Sequence, residues 1–500
     1  MGDSDCVIRV SVKWMGKHYE NLEMHLNEPL EVFQAQISSL TGVPAERQKL
    51  LYKGILLNNT DLSQLKLPHG AKLMLIGTAE QLVERPEKVR FFEDMSPEEK
   101  AQLLGTAKVR RIPCGIMNLG NTCYFNAVFN FLLPVHELWE SIEKVTMRDD
   151  IDKTSDHYIF VKQLLDMRNQ LPVTLKRYVP LTQVTMLRRI NPLFSRKDEK
   201  TGTFMQQDAE ECLSLILSTI NNVSDEKIVD NAFGYVLSTS IKPKETNDGA
   251  SNSSTASITR ECSNKLNCYM GTQLKSVGSL MDGILLSLNE DVLKFCENAG
   301  ENIMHEKVGR ICSLSKYLVV HLVRFEWKQE SEVSKTGAVK AKVCRRVNFE
   351  RVLDITPICS EELQPLLHAA NAAAMHKDFG LDPTKSEGFK GCELYPGEYA
   401  TGKYELQSIV THQGRTAEGG HYICWSKDNR EDPSSDGKES GDSWLMYDDE
   451  TVREFSWGGF DLCGGRSDYH IAVLLLYKAQ CIRIESKNDE STSGLKATEG

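Results

Sequence analysis

The segment that most constrains this chain of 500 residues is Gly115–Asn126, with the sequence GIMNLGNTCYFN. Positions 120–122 hold turn and capping residues. The apolar positions of 125–132 then follow a helical spacing, which Pro134 ends. The pattern predicts that Cys123 lies at the start of a helix, where the macrodipole and free backbone N–H groups favour a thiolate. A cysteine there is a candidate nucleophile; the alternative is an inert buried cysteine.

A candidate base follows far along the chain. The segment HQGRTAEGGHY lies between strands predicted at 404–410 and 422–426. His421 follows two glycines, so a substrate backbone can approach it closely. It can take a proton from Cys123 and later give one to a leaving amine. His412, at the end of the first predicted strand, is the rival base; otherwise it has a structural role.

A candidate carboxylate comes next, in the segment Ser443–Glu450, SWLMYDDE. A carboxylate at the end of this predicted strand can hold the ring of His421 and set its tautomer, the third role in a triad. Asp448 is the preferred residue and Asp449 the alternative. Taken alone, an acidic pair at a strand end also suits a turn.

Composition limits the class of protein. The chain is 40% hydrophobic and 26% charged, which is typical of globular proteins. A net charge of -11 argues against a general nucleic-acid binder, which needs a basic face. The 14 cysteines are too scattered for a disulfide framework, and we find neither a secretory signal nor an apolar run of transmembrane length. We therefore expect a protein of a reducing compartment: the cytoplasm, with the nucleus as a second location.

The first 80 residues predict a compact unit of their own. Two alternating runs, one amphipathic helix and two short strands follow each other. In order, they are Val7–Trp14, Tyr19–Leu26, a helix carrying Leu30, Phe33, Ile37 and Leu40, then Gln48–Tyr52 and Lys72–Ile76. This order predicts a β-grasp fold.

The same unit resembles ubiquitin, most clearly at Pro44–Gly54, PAERQKLLYKG. Residues 77–79, Gly-Thr-Ala, stand where ubiquitin has its processed diglycine tail, so the resemblance implies a fixed ubiquitin-like domain over residues 5–79. Trp14, Leu51 and Ile76 align near the exposed hydrophobic patch of ubiquitin. They are candidates for a docking patch; the alternative is that some of them are core residues.

The rest of the chain divides into a linker at 80–108, a catalytic domain at 109–480 and a disordered tail at 481–500. Three polar or mixed segments inside the large domain read as long surface loops. They are Glu245–Thr259, Pro365–Gly402 and Asp428–Asp442.

The cysteine and histidine segments resemble the two boxes of the ubiquitin-specific protease family. Three further stretches resemble family segments and come in the family's order: Phe204–Cys212 (its Gln-Gln-Asp segment), Leu318–Phe325 (a strand before the histidine box) and Ile471–Tyr477 (the closing strand). The resemblance spans roughly 109–480. It implies an α+β protein, in which a papain-like cysteine protease domain with fingers, palm and thumb follows the β-grasp domain.

The resemblance also implies roles for single residues. Cys123 would be the nucleophile, His421 the base and Asp448 its orienter, and no cofactor would be needed. Asn118 would donate to the oxyanion together with the Cys123 backbone N–H. A side-chain amide suits that task because it can stabilise developing negative charge; the alternative is that Asn118 is a turn residue.

Two residues of the Gln-Gln-Asp segment, Gln207 and Asp208, are candidates for lining the channel of the ubiquitin C-terminal tail. The alternative is that Asp208 caps a helix, with Glu211 completing a capping box.

The chain departs from many family members in its cysteines. Those members carry paired CxxC motifs that bind zinc in the fingers. Here the corresponding region offers Cys262, Cys268, Cys296 and Cys312, whose spacing is poor for zinc ligands. We expect no metal, with hydrophobic packing in its place.

The architecture most resembles that of the family's proteasome-associated members. It implies a deubiquitinating cysteine protease whose partners are ubiquitin, ubiquitinated proteins and the 26S proteasome regulatory particle, bound through the ubiquitin-like domain. The alternatives are a non-enzymatic ubiquitin-binding proteasome adaptor and the same chemistry on another modifier.

The connections Glu326–Ala341 and Gln413–Gly420 would cover the tail channel in the free enzyme, giving low basal activity that rises on docking; otherwise they are ordinary mobile loops.

Overall fold

The structure is a computed structural model of the whole chain. It describes residues 7–53, 55–57, 67–77, 112–174, 177–199, 201–244, 257–271, 276–296, 301–328, 339–378, 390–416, 419–429, 443–458 and 461–483. The chain divides into two compact units, Met1–Lys108 and Val109–Gly500. Each is described by itself below.

The first unit is the β-grasp fold that the sequence predicts. Its elements are β1 (Val7–Trp14), β2 (Lys17–His25), α1 (Leu30–Thr41), β3 (Lys49–Tyr52), β4 (Ile55–Leu56) and β5 (Lys72–Ile76). The strands form one sheet in the order β2-β1-β5-β3-β4, and β1 runs parallel to β5. Alternate residues of β1 and one face of α1 are buried in a common core, as periods of 2 and 3.6 require. The helix ends at Gly42, which adopts the left-handed conformation.

The second unit combines eight described helices with two large sheets. The helices are α2 (Cys123–Leu132), α3 (His136–Thr146), α4 (Asp156–Gln170), α5 (Leu181–Ile190), α6 (Ala209–Asn221), α7 (Ile228–Phe233), α8 (Leu280–Leu288) and α9 (Gln364–Asp378). Helix α2 is buried on every side, which suits its nearly continuous apolar sequence. None of the helices in the described part of the chain has the length and apolarity needed to cross a bilayer.

The strands of the second unit continue the numbering. They are β6 (Tyr235–Pro243), β7 (Ser257–Ser263), β8 (Leu266–Tyr269), β9 (Asn289–Cys296), β10 (Glu301–Ser313), β11 (Tyr317–Val323), β12 (Phe325–Lys328), β13 (Val339–Lys342), β14 (Val352–Asp354), β15 (Glu393–Tyr395), β16 (Glu398–Thr416), β17 (Gly419–Lys427), β18 (Ser443–Asp448), β19 (Thr451–Ser456) and β20 (Ile471–Arg483). One sheet has the order β7-β6-β10-β9; the main path of the other is β19-β18-β17-β16-β20-β11-β8. Helix α2 packs against β17 in the larger sheet, so the sheet and the helices share one core.

The predicted connection Gln413–Gly420 is largely a β-hairpin rather than a loop. Strand β16 continues to Thr416, and β17 begins at Gly419. Gln413 pairs with His421, and a register shift follows it, next to the left-handed Gly414. A bulge with a glycine at positive φ lets the hairpin twist without breaking the ladder. Positions 417–418 lie outside the described residues.

Other predicted connections are also partly ordered. In Glu326–Ala341, the two ends pair as β12 and β13, and 329–338 lie outside the described residues. The segment Glu245–Thr259 ends in β7, and Pro365–Gly402 contains α9 and β15. The predicted tail begins too early, because residues 481–483 pair with β16 as the end of β20. The linker at 80–108, most of Asp428–Asp442 and the chain after 483 lie outside the described residues.

Candidate active site

Cys123 is the first residue of α2, as the turn and capping pattern predicts, and it is buried. The turn before it contains two successive residues at positive φ, Gly120 and Asn121. The Thr122 hydroxyl closes this turn by accepting a hydrogen bond from the Leu119 N–H at 2.9 Å. Cys123 therefore lies at the N-terminal, positive end of a buried helix.

His421 lies on β17 between the sulfur and a carboxylate. Its Nε2 is 2.6 Å from Oδ1 of Asp448, and its ring is also hydrogen-bonded to Cys123. Because Nε2 is bonded to Asp448, Nδ1 is the nitrogen left to face the sulfur. The hydrogen bonds to Asp448 and Cys123 outweigh burial and raise the pKa of His421 to about 10. The imidazolium form is therefore favoured near neutral pH.

The two adjacent carboxylates have different partners. Asp448 ends β18 and faces His421, whose hydrogen bond lowers the Asp448 pKa. Asp449 has a left-handed backbone, with φ of 48°. Its carboxylate accepts 2.8 Å hydrogen bonds from Nδ2 of Asn118 and from Nδ2 of Asn126. Burial raises the Asp449 pKa despite these two bonds. Asp448, the preferred residue, is the one that contacts His421.

Asn118 is held in a single orientation. Its Oδ1 accepts from the backbone N–H groups of Gly120 at 3.0 Å and Thr122 at 3.1 Å, and its Nδ2 donates to Asp449. It is therefore a turn residue, as the alternative interpretation held. One N–H of the amide is used by Asp449, and the amide has a second. A role at the oxyanion stays a prediction.

Sequence reasoning missed two residues of this network, Asn126 and Gly115. The only local signal for Asn126 is an amide within an apolar helix, three residues after Cys123. A Cβ on Gly115 would collide with the backbone of Glu450, and the Ile116 N–H donates to the Asp449 carbonyl at 2.7 Å. The segment before α2 and the turn after β18 therefore need glycine in order to meet this closely.

The rival base, His412, lies in the core. Its ring is fully buried, with centroids 5.4 Å from Phe325 and 4.5 Å from Tyr422. Burial, reinforced by the charge of Lys342, lowers the His412 pKa to about 3. The structure thus places His412 as a neutral packing residue on β16, the partner strand of the one that carries His421.

Two buried cations, Lys342 and Arg324, donate to backbone carbonyls, and Lys342 contacts His412. Lys342 donates from Nζ to the His412 carbonyl at 2.5 Å, and burial lowers its pKa to about 8. Arg324 is completely buried, and burial lowers its pKa to about 10. Its guanidinium donates to four carbonyls, those of Ala472, Val343, Arg345 and Cys463. These contacts tie β13, the turn before β20 and the catalytic hairpin together.

Gln207 and Asp208 lie at the start of α6. Asp208 is its N-cap and accepts from the Glu210 N–H at 2.9 Å, so the capping interpretation describes its contact. Gln207 donates from Nε2 to the Met205 carbonyl at 3.1 Å. Asn121, in the turn before Cys123, donates to the Phe204 carbonyl at 2.8 Å and joins this segment to the active site. A role in binding the ubiquitin tail stays a prediction.

In the first unit, the outer face of the sheet carries part of the predicted docking patch. Ile76 is exposed and Leu51 half-buried, and Met74 is exposed directly opposite Leu51 in the register. Trp14 instead packs partly against the core and donates from Nε1 to the Gly77 carbonyl at 2.9 Å. Met74, which the sequence alignment missed, takes the central position. Lysines flank this apolar surface at three register positions, Lys13, Lys49 and Lys72.

A second apolar surface lies on the four-stranded sheet. Leu293 and Phe295 alternate on one face of β9, with Met304 opposite Leu293 on β10, and all three are exposed. Strand β9 also borders a cleft of about 630 Å³, which is lined by Asn289, Glu290 and Asp291 and by residues of the larger sheet. Exposed apolar surface of this kind marks protein interfaces. The alternation along β9 was the sequence signal for it.

The cysteines of the predicted metal-free region are spread over different strands. Cys262 is exposed on β7, Cys268 is buried on β8, and Cys312 is half-buried on β10. The side chain of Cys296 lies outside the described residues. The one described group with three potential metal ligands close together is that of His421, Asp448 and Asp449, whose donor atoms already bind one another or asparagines.

Comparisons with known proteins agree with both units. The family model described as "Ubiquitin carboxyl-terminal hydrolase" matches residues 114–477, and the ubiquitin family model matches residues 8–80. The hydrolase match covers most of the chain and contains every residue of the site described above.

Whole-length relatives have the same description. The chain is 32% identical over 512 residues to ubiquitin carboxyl-terminal hydrolase 7 of Arabidopsis thaliana, covering 95% of this chain and 100% of that protein. It is 28% identical to ubiquitin carboxyl-terminal hydrolase 14 of Caenorhabditis elegans, covering 95% and 94%. It is 27% identical to ubiquitin carboxyl-terminal hydrolase 6 of Schizosaccharomyces pombe, covering 95% and 100%. The predicted α+β fold is confirmed, and the chain belongs to the ubiquitin carboxyl-terminal hydrolase family as a deubiquitinating cysteine protease with an N-terminal ubiquitin-like domain.

Proposed function

We propose that this enzyme removes ubiquitin from conjugates at the proteasome, cutting after the C-terminal glycine of ubiquitin through a thioester on Cys123. The observation that carries the proposal is the hydrogen-bonded line from Cys123 through His421 to Asp448, with 2.6 Å between the last two. A nucleophile, a base and a group that orients the base are the three parts that such a reaction needs.

In the first half of the reaction, the Cys123 thiolate attacks the carbonyl carbon of the terminal glycine. The C–N bond to the substrate lysine breaks, and His421 gives its proton to the leaving amine. In the second half, His421 takes a proton from water, and the hydroxide attacks the thioester. The C–S bond breaks, which restores the thiolate and releases the C-terminal carboxylic acid of ubiquitin, whose proton passes to solvent. Asp448 stabilises the imidazolium form of His421 at the stages where the ring holds the proton.

Asn118 is the proposed oxyanion donor, together with the Cys123 backbone N–H. The contacts that fix its amide, to Asp449 and to the turn, pre-organise its second N–H before charge develops. One such donor contributes about 3–4 kcal/mol to catalysis.

We assign two surfaces to ubiquitin itself. Gln207 and Asp208, joined to the active-site turn through Asn121, border the path of its C-terminal tail. The face carrying Leu293, Phe295 and Met304 receives its globular body, because these three apolar side chains are exposed and a bound protein would remove them from water.

The ubiquitin-like domain is the proposed anchor to the 26S proteasome regulatory particle. Its outer face presents Leu51, Met74 and Ile76 among lysines, which suits a receptor with an apolar groove and acidic rim. The proposal places the enzyme in the cytoplasm, with the nucleus as a second location. It also holds that docking raises a low basal activity.

The first test uses ubiquitin that bears a C-terminal electrophile, incubated with the full chain with and without purified proteasomes. Intact mass should show a single adduct, absent from Cys123→Ala and formed faster with proteasomes. An adduct with another modifier in preference to ubiquitin would contradict the assigned substrate. No adduct, with ubiquitin binding retained, would replace the proposal with a non-enzymatic adaptor.

Docking is tested separately by co-sedimentation of the full chain with proteasomes. Met74→Asp and Ile76→Asp should each abolish co-sedimentation. Val32→Asp is the matched control, since Val32 is an equally exposed apolar residue on α1. Equal binding of all three variants would remove this face as the anchor.

A further inference from the structure

A cleft of about 570 Å³ opens beside His421, on a flank that the proposed ubiquitin contacts do not use. One wall is the hairpin that leads to His421, and the other is the turn before β20. Its lining residues are Gln413, Gly414, Arg415, Gly420, His421, Arg466, Ser467 and Asp468. Cys123, Gln207 and Asp208 are absent from this lining, so the cleft differs from the proposed path of the tail.

The two walls are joined by specific contacts. The Gly414 N–H donates to the Ser467 carbonyl at 2.8 Å, and Nε2 of Gln413 donates to the Asp468 carbonyl at 2.5 Å. Gly420 has φ of 120°, and a Cβ there would collide with the Gln413 carbonyl. The cleft is therefore a defined feature of the hairpin rather than a gap between unconnected loops.

The cleft has an excess of positive charge. Arg466 is occupied by Asp468, with Nε 2.9 Å from Oδ1 and a second bond to Oδ2. Arg415 is exposed and makes no ion pair within 4 Å with a carboxylate of the described residues. Its charge acts on Asp468 from farther away. Arg415 therefore carries a positive charge that no carboxylate of the described residues pairs with, and it lines the same cleft as the His421 imidazolium. A carboxylate of a bound molecule fits there.

The reaction indicates which molecule occupies this place. His421 must come within hydrogen-bond reach of the leaving amine in order to protonate it. The leaving amine belongs to a lysine side chain, so the polypeptide that carries the lysine must pass close to His421. The cleft includes His421, and its lining contains neither Gln207 nor Asp208.

We propose that this cleft is the subsite for the substrate polypeptide that carries the ubiquitinated lysine, and that Arg415 selects acidic residues beside that lysine. The inference rests on the proposed isopeptidase function and adds a substrate preference to it. It concerns the leaving group alone, so it has no bearing on how ubiquitin is held.

The experiment uses the full-length enzyme and four substrates. Three carry ubiquitin on the lysine of a short peptide whose flanking residues are acidic, alanine or basic. The fourth carries ubiquitin on aminocoumarin, a leaving group without a peptide. For the wild type, kcat/KM should be about three- to fivefold higher with acidic than with alanine flanks, the effect of one exposed ion pair, and lowest with basic flanks. The preference should shrink in high salt.

Variants at Arg415 test whether this residue is responsible. Arg415→Ala should abolish the preference, Arg415→Glu should reverse it, and Arg415→Lys should largely retain it. All should hydrolyse ubiquitin–aminocoumarin within about twofold of the wild type, which also shows that they fold. Arg483→Ala, an exposed arginine at the opposite end of β20, is the matched control and should leave the preference unchanged.

Two results would overturn the inference while leaving the proposed function intact. One is equal kcat/KM for the three peptide substrates. The other is a loss in Arg415→Glu that is as large for ubiquitin–aminocoumarin as for the peptides, since Arg415 would then act on ubiquitin. Failure of the wild type, with proteasomes present, to hydrolyse ubiquitin–aminocoumarin would instead overturn the proposed function.

Discussion

The two strands of the β16–β17 hairpin carry two histidines whose pKa values are shifted in opposite directions. On β17, His421 meets a carboxylate and a thiol, is 34% exposed, and has its pKa raised to about 10. On β16, His412 is buried between aromatic rings near the Lys342 ammonium, and its pKa falls to about 3. The rings belong to adjacent strands, with Gln413 paired to His421.

This difference shows that the groups around a histidine ring decide whether the ring is charged. Around His421 the counter-charge is a carboxylate at 2.6 Å. The charge that acts most strongly on His412 is that of Lys342, and among the described residues Lys342 and Arg324 donate to backbone carbonyls. Carbonyl dipoles can hold a cation whose charge is never transferred. A base that gains and loses a proton in every cycle needs the carboxylate.

Replacing each of the two histidines tests this difference, and the largest loss of activity is expected at His421. His421→Ala should lower kcat/KM for ubiquitin–aminocoumarin about 10²–10⁴-fold, the contribution of a positioned acid–base group. His412→Leu retains apolar packing and should stay within a few-fold of the wild type. Hydrolysis rates of the two purified variants decide the matter. A loss in His412→Leu as large as in His421→Ala would show that the buried ring takes part in the chemistry.

The next largest loss of activity is expected at Asn118 and at Asp449, the carboxylate that it contacts. Asn118→Ala should lower kcat about 10²–10³-fold, the effect of losing an oxyanion donor. Asp449→Asn, which keeps the side-chain size and tolerates the left-handed backbone, should approach the same loss because an amide cannot accept from both asparagines as the carboxylate does.

A double-variant cycle checks that Asp449 acts through Asn118. The two residues contact each other, so their effects should not add. The combined variant should therefore lose little more activity than the worse single variant. Fully multiplicative losses would separate the two roles and count against the oxyanion assignment of Asn118.

Local patterns in the sequence were enough to find the parts of the site that belong to single elements. Turn residues followed by an apolar run placed Cys123 at a helix start, and strand-end patterns placed His421 and Asp448. Each of these rests on the conformation of a few neighbouring residues. The same reasoning gave the helix and sheet of the ubiquitin-like domain, where the periods of 3.6 and 2 are clear.

The remaining parts depend on contacts between distant segments. Asn118 and Asp449 are 331 positions apart, and nothing local says which of two neighbouring aspartates turns toward the asparagine. Lys342 and Arg324 would be assigned to the surface by residue type, because their carbonyl partners exist only in the fold. The hairpin before His421 looked like a loop since glycine-rich polar segments usually are, whereas cross-strand pairing with β16 decides its conformation.

The next prediction concerns Lys342, the buried cation that contacts His412. The folded-state pKa of Lys342 is lowered from 10.5 to about 8, so between these values the unfolded chain binds more protons than the folded one. Stability must then rise with pH across this window. In Lys342→Met that rise is lost. The stability of the wild type relative to this variant should increase by about 2–3 kcal/mol from pH 7 to pH 10.

Urea unfolding at several pH values measures this difference, and His421, which titrates in both proteins, cancels. Lys242→Met, at an exposed position on β6, is the control and should show no pH-dependent difference from the wild type. A gap between wild type and Lys342→Met that is independent of pH would mean that Lys342 titrates normally, and that its burial costs nothing electrostatically.

The smallest expected change is a shift in the pH profile when Asp448, the carboxylate bonded to His421, is replaced. His421 must hold a proton to release the leaving amine, so the alkaline limb of kcat/KM should follow its raised pKa of about 10. Asp448→Asn removes the main cause of that raised pKa and should move the limb down by about 1–3 pH units. Glu450→Gln, a nearby carboxylate paired with Arg177, should leave the limb in place. If the Asp448→Asn profile coincides with that of the wild type, Cys123 and Asp449 are enough to keep the His421 pKa raised, and Asp448 only orients the ring.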